Sequence, residues 1–121
     1  MSARRRRQVG SILREELSQI IQQEMKDPRL GFASILRVEV APDMSFARVF
    51  VSVFGSQEER EATIEALEHA SGFIRHQLAP RLSLRTIPRL RFVLDRSMEH
   101  AEHVARLLAE VEADKPSEPS E

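Results

Sequence analysis

The chain has 121 residues, 41% of them hydrophobic and 31% charged, a length and balance that suit one folded domain with a modest core. It has no cysteine, which excludes disulfides, zinc–thiolate sites and thiol catalysis and favours a reducing compartment. The basic run Arg4–Arg7 imitates the start of an export signal, but Gln8-Val9-Gly10-Ser11-Ile12-Leu13-Arg14-Glu15-Glu16 follows it in place of an apolar stretch. The longest strongly apolar run, around Val49 to Phe54, is far too short to span a bilayer, so the expectation is a cytoplasmic protein without a membrane partner.

The first predicted element is a helix, because Val9, Ile12, Leu13, Leu17, Ile20, Ile21 and Met25 recur at three- and four-residue steps. Lys26-Asp27-Pro28 ends it, since proline has no amide hydrogen and disfavours helix in the residue before it. Gly31 then allows a turn into residues 33–41, a strand in which Leu36, Val38 and Val40 alternate with Arg37 and Glu39. The turn Pro42-Asp43-Met44-Ser45 leads to a second strand, 46–54, with Ala47, Val49, Val51 and Val53 on one face. The other face carries Phe46, Arg48, Phe50, Ser52 and Phe54, and the two strands should form a hairpin.

Gly55 breaks that strand, and Ser56 with Glu59 forms a capping-box pattern that starts a helix. Ala62, Ala66, Leu67 and Ala70 are its apolar residues; Ser71-Gly72 interrupts them, and Phe73, Ile74, Leu78 and Leu82 resume. Glycine inside a helix costs about 1 kcal/mol relative to alanine, so two helical segments are expected, joined by a kink near Ala70-Ser71-Gly72. Pro80 should bend or shorten the second. Residues 89–94 form a third strand, with Leu90, Phe92 and Leu94 against Arg89, Arg91 and Val93. Asp95 or Ser97 caps a last helix whose buried stripe is expected at Met98, Ala101, Ala105 and Leu108. Pro116-Ser117-Glu118-Pro119-Ser120-Glu121 reads as a disordered end. The domain plan is a basic flexible start (1–6), a folded unit (7–109) and an acidic tail (110–121).

The formal net charge of −1 conceals an uneven distribution. The tail holds five acids and one base, which leaves residues 1–109 at +3. Sixteen of the 18 basic residues are arginine, whose planar fork suits phosphate and whose face stacks on bases. From His69 to Leu94 there is no acid, and Arg75, Arg81, Arg85, Arg89 and Arg91 lie in that stretch. Such a window keeps its local potential positive, which a nucleic-acid backbone seeks.

The element order predicts an α+β domain, a three-stranded sheet with helices packed on one face. The same order, helix-strand-strand-helix-kink-helix-strand plus a C-terminal helix, matches the type II KH domain, an RNA-binding fold. An ordinary KH domain grips RNA backbone at a Gly-x-x-Gly loop, but Gly10, Gly31, Gly55 and Gly72 include no pair at that spacing. Ala70-Ser71-Gly72 stands in its place, and an Ala-x-Gly kink there resembles the ribosome-binding factor A family of bacterial assembly factors. Further stretches resemble that family in order: Val9-Gly10, Glu16-Leu17, Ile20-Ile21, Asp27-Pro28-Arg29-Leu30-Gly31, Val38-Glu39-Val40, Ala47-Arg48-Val49-Phe50-Val51-Ser52, Gly72-Phe73-Ile74-Arg75, Leu84-Arg85, Pro88, Phe92 and Asp95-Arg96-Ser97. The chain departs from the pattern at Pro80 and at Arg89, where an acid is common.

The resemblance implies a non-catalytic factor that binds the free, immature small (30S) ribosomal subunit. It implies contact with 16S ribosomal RNA near its 5′-terminal helix, help with maturation and rRNA processing, support of growth in the cold, and displacement before subunits join. No cofactor, metal or small-molecule substrate is expected, and the chain should be monomeric.

Candidate RNA-binding residues are Arg75, Arg81, Arg85, Arg89 and Arg91. Ser71 and Gly72 join them, either as phosphate contacts or only as parts of the kink; Ala70 is read as structural. If the apolar residues of the strands face the core, Arg37, Arg48, Phe50, Arg89 and Arg91 share the opposite face, where cations and an aromatic ring either stack bases or merely cover an open sheet with arginine stems. Arg6 and Arg7, with their basic neighbours, are either an RNA-binding arm or a frayed terminus.

His100 and His103 stand one turn apart at a metal-binding spacing but lack a third ligand, so they read as a polar helix face. His69 and His76 flank the kink. An enzyme is disfavoured because no glycine-rich phosphate loop or serine elbow occurs. An RRM is disfavoured by the helix-first order, and a protein-only adaptor has no support because the core accounts for the first helix's apolar stripe.

Overall fold

The computed structural model describes residues 2–23, 25 and 33–114. The expected turn at Lys26-Asp27-Pro28 and Gly31, the side chain of Met98 and the end from Pro116 lie outside the described residues. Helix α1 spans Ala3–Gln23, strand β1 Ala33–Val40, strand β2 Phe46–Val53, helix α2 Gln57–His69 and helix α3 Ser71–Leu78. A single 3-10 turn, Ala79–Arg81, carries Pro80; strand β3 (Arg89–Leu94) and helix α4 (Ser97–Asp114) complete the order. This is the α+β, type II KH-like arrangement expected from the sequence.

The sheet order is β1-β2-β3, with β1 antiparallel and β3 parallel to β2. A parallel partner needs a crossover of a dozen or more residues, which α2, the kink and α3 supply. Helix α1 packs on β1 and α3, and α2 packs on β3, so the helical layer covers one face. Leu13, Leu17 and Ile20 of α1, Leu67, Ile74 and Leu78 of the crossover, and Val49 and Val51 of β2 are excluded from solvent. Each such side chain contributes about 1.5–3 kcal/mol through burial.

Gly10 decides how closely α1 approaches the sheet. It is buried, and a Cβ there would overlap the carbonyl oxygen of Val38. One helical turn on, Arg14 Nε donates to the Leu36 carbonyl at 3.0 Å. Both carbonyls belong to β1, an outer strand of the sheet. At the other edge of the sheet, the Phe92 amide donates to Glu68 Oε1 at 2.7 Å, which ties α2 to β3.

The capping box holds: Ser56 Oγ accepts from the Glu59 amide, and Glu59 Oε1 accepts from the Ser56 amide, both at 3.2 Å. The kink is one residue, Ala70, with φ −88° and ψ 1°; its amide still reaches Ala66, and its carbonyl accepts from Ile74. Gly72 lies inside α3, where a Cβ would meet nothing within 4 Å. The bend therefore comes from Ala70, and no packing demands glycine at position 72.

Several expectations are corrected. A bulge interrupts β1 between Ile35 and Arg37, which pair with consecutive residues Val51 and Phe50. Leu36 is the extra residue, 41% exposed, and Ile35 takes the core position. Ile12 and Phe73 lie outside the core, because their neighbours Leu13 and Ile74 already fill the inward positions. Leu94 is only half-buried.

Helix α1 begins at Ala3, with Ser2 Oγ accepting from the Arg5 amide at 3.1 Å, so Arg4–Arg7 lie in its first turns. The expected buried stripe of α4 is also absent. Ala101, Ala105 and Leu108 are exposed, the last by 60%, and α4 makes no substantial packing on another element among the described residues. The helix continues to Asp114, into what the sequence assigned to the acidic tail.

Candidate nucleic-acid interface

The open sheet face gathers the charged and aromatic residues of all three strands. The register sets Arg37 opposite Phe50, Glu39 opposite Arg48, Arg48 beside Arg91 and Phe46 beside Arg89. The Arg37 guanidinium lies 3.9 Å from the centre of the Phe50 ring, with Arg48 at 6.0 Å, and Arg91 lies 5.1 Å from the centre of Phe46. Each guanidinium so placed lies within cation–π range of a ring.

The arginines on this face differ in how they are paired. Arg37 bonds Asp95 Oδ2 at 3.1 Å and Glu39 Oε1 at 3.3 Å, and Arg48 bonds Glu39 Oε2 at 3.2 Å. Asp95 also accepts the Ser97 amide at 2.8 Å and so caps α4; hydrogen bonds from Ser97, then Arg37, hold its carboxyl below the ordinary value. Arg85, Arg89 and Arg91 are exposed and make no ion pair among the described residues. Three uncompensated cations on the loop and β3 thus adjoin two compensated ones on β1 and β2.

The helical side of the stretch from His69 to Leu94 is built differently. Arg75 is half-buried and donates to the Ile87 carbonyl at 2.9 Å, while its Nε has no partner. Arg81 reaches Glu16 Oε2 at 3.5 Å and Gln19 Oε1 at 3.4 Å on α1. Arg75 and Arg81, candidates for RNA contact by sequence, are thus both engaged in joining elements of the fold. Ser71 is half-buried and Gly72 exposed, at the start of α3. Sequence proximity suggested one surface, whereas the fold divides the stretch between two layers.

A third group lies where the first turns of α1 meet the β1–β2 turn. A concavity of about 740 Å³ is lined there by Arg6, Arg7, Glu39, Asp43, Phe46 and Arg48, among others. Arg6 Nε is buried there without a partner. Asp43 accepts the Ser45 hydroxyl at 2.7 Å and the Ser45 amide at 3.0 Å, which lowers its carboxyl from the ordinary value. Phe46 is the residue the sequence reading undervalued. Its alternation with Arg48 and Phe50 places it on this face; the register sets it beside Arg89, and the Arg91 side chain reaches across to lie over its ring.

His69, His100 and His103 are exposed. Among the described residues no three His, Cys, Asp or Glu side chains are placed to hold a metal ion, and no helix is long and apolar enough to cross a membrane.

The family model for ribosome-binding factor A matches residues 5–108. Ribosome-binding factor A of Thermomicrobium roseum is 52% identical over 120 residues, covering 99% of this chain and 93% of that protein. The protein of the same name from Halothermothrix orenii is 41% identical over 121 residues, covering 100% and 99%. The crystal structure of the Thermus thermophilus ribosome-binding factor A superposes with a TM-score of 0.69 at 29% identity, covering 76% of this chain and 98% of that one. A homology model of the T. thermophilus ribosome-binding factor A, fitted into a cryo-EM map of a 30S complex of that factor, superposes with a TM-score of 0.61 at 31% identity, covering 72% and 91%. By sequence and fold together, this chain belongs to the ribosome-binding factor A family.

Proposed function

We propose that this protein binds free, immature 30S subunits through 16S ribosomal RNA and assists their maturation without catalysing a reaction. The observation that carries the reading is the set of exposed arginines Arg85, Arg89 and Arg91, which make no ion pair among the described residues, on the loop and β3, with Arg37 and Arg48 over the Phe50 ring on the same sheet. Uncompensated cations release counterions when they meet phosphates, and guanidinium faces stack unpaired bases. The 30S-bound relative from T. thermophilus shares this fold. Contact near the 5′-terminal helix of 16S rRNA, assistance to its processing, action as a monomer and a cytoplasmic location complete the reading.

Ser71 contributes its hydroxyl and Gly72 exposed backbone beside the kink, and Arg75 and Arg81 act by holding the scaffold. Sedimentation of cell extract tests the reading. The protein should travel with free small subunits at low salt, leave them at high salt, and be absent from whole ribosomes; salt-insensitive association, or none, overturns it.

A further inference from the structure

The geometry points to a binding site for a single unstacked RNA nucleotide in the concavity between the first turns of α1 and the β1–β2 turn, with the phosphate on Arg6 and Arg7. The inference rests on the reading of the protein as an RNA binder and names what this part of it holds.

Positions 6, 10 and 14 form one stripe of α1 at four-residue steps, and α1 packs on β1. Gly10 lies against the Val38 carbonyl, and Arg14 Nε donates to the Leu36 carbonyl at 3.0 Å. Arg6 occupies the next turn, yet its Nε is buried and unbonded. A donor left unpaired is destabilising, and more so when charged; the part-buried Arg6 side chain lines the concavity and gains an acceptor by turning its guanidinium toward a phosphate there.

The acids on the wall do not supply that acceptor. Glu39 is engaged by Arg37 and Arg48, and Asp43 by Ser45. Four consecutive arginines at the start of a helix are also misplaced electrostatically, because that end carries the positive pole of the helix dipole. An anion relieves both defects. Phe46 and Pro42 offer apolar wall for a base, Arg48 a second cation, and the volume of about 740 Å³ exceeds what a bare phosphate fills. A nucleotide with its base splayed from the stack has the matching chemistry.

The test is a two-dimensional NMR titration of the ¹⁵N-labelled full chain with uridine 5′-monophosphate, adenosine 5′-monophosphate and, separately, inorganic phosphate. The nucleotides should shift the Arg6 Nε–Hε signal and the amides of residues 39–46, with phosphate binding more weakly. Arg6→Lys keeps the charge but not the planar fork, and should weaken nucleotide binding about tenfold. No shift at these positions, equal binding by Arg6→Lys, or phosphate binding as tightly as the nucleotides each overturns the proposal. If the pocket stays silent while the wild-type protein still sediments with small subunits, this site falls and the RNA reading stands. If the pocket binds nucleotide while subunit association is missing, the reverse holds.

Discussion

Replacing Gly10 by alanine should destabilise the protein, against the usual preference of helices for alanine. The added Cβ would overlap the Val38 carbonyl oxygen. Both groups belong to backbone, so no side chain can rotate away, and α1 must lift from β1. Overpacking of this kind costs roughly 1–3 kcal/mol, against about 1 kcal/mol gained from helix propensity. Because the overlap is with backbone, the cost lies in the upper part of that range, about 2–3 kcal/mol, so a net loss of about 1–2 kcal/mol follows, which lowers the melting temperature by roughly 4–15 °C in a domain near this size. Gly72→Ala is the internal control, because a Cβ there meets nothing within 4 Å; it should gain up to about 1 kcal/mol. Urea unfolding followed by far-UV circular dichroism measures both, with the slope checked for constancy. A Gly10→Ala protein as stable as wild type would refute the close approach of α1 to β1.

Three further outcomes are expected. Ile35→Ser should cost about 2–5 kcal/mol and Leu36→Ser less than about 0.5, as urea unfolding will show, because the bulge sends one inward and the other outward. Asp95 has a folded-state value below its ordinary 3.8, so it contributes stability above that pH and loses it as pH falls through the lower folded value. Asp95→Asn should therefore reduce stability at neutral pH and flatten the acid-unfolding curve below about pH 4. Deleting residues 98–121 should leave the melting temperature unchanged within about 2 °C, since no described residue of α4 belongs to the core.

Local chemistry made most of the fold legible in the sequence. Ser56 and Glu59 announce α2 because a capping box is complete within four residues, and the hairpin is visible because Ala47, Val49, Val51 and Val53 alternate without a break. The bulge at Leu36 was not legible, since an extra residue looks like continued alternation until its partner strand is seen. Nor was the exposure of α4: an amphipathic pattern shows that a helix has an apolar side, not that anything covers it.

The site divides in the same way. Arg37, Arg48, Arg89 and Arg91 were placed on one face by period-two alternation. The engagement of Arg75 and Arg81 is not legible, because their partners, Ile87 on the loop and Glu16 and Gln19 on α1, are set by tertiary packing. The kink was located correctly, but the residue that makes the bend is Ala70, and Gly72 is free of any packing duty.

The central claim, that exposed arginines on the loop and β3 hold ribosomal RNA, is tested most directly by the salt dependence of binding to purified free 30S subunits. Affinity should be measured across a salt series for the wild type and for a variant carrying Arg85→Glu, Arg89→Glu and Arg91→Glu. All three side chains are exposed, so the variant should fold as the wild type does. Each lost phosphate contact should reduce the slope of log affinity against log salt by about 1. The account predicts weaker binding and a shallower slope in the variant; equal affinity with an unchanged slope would contradict it.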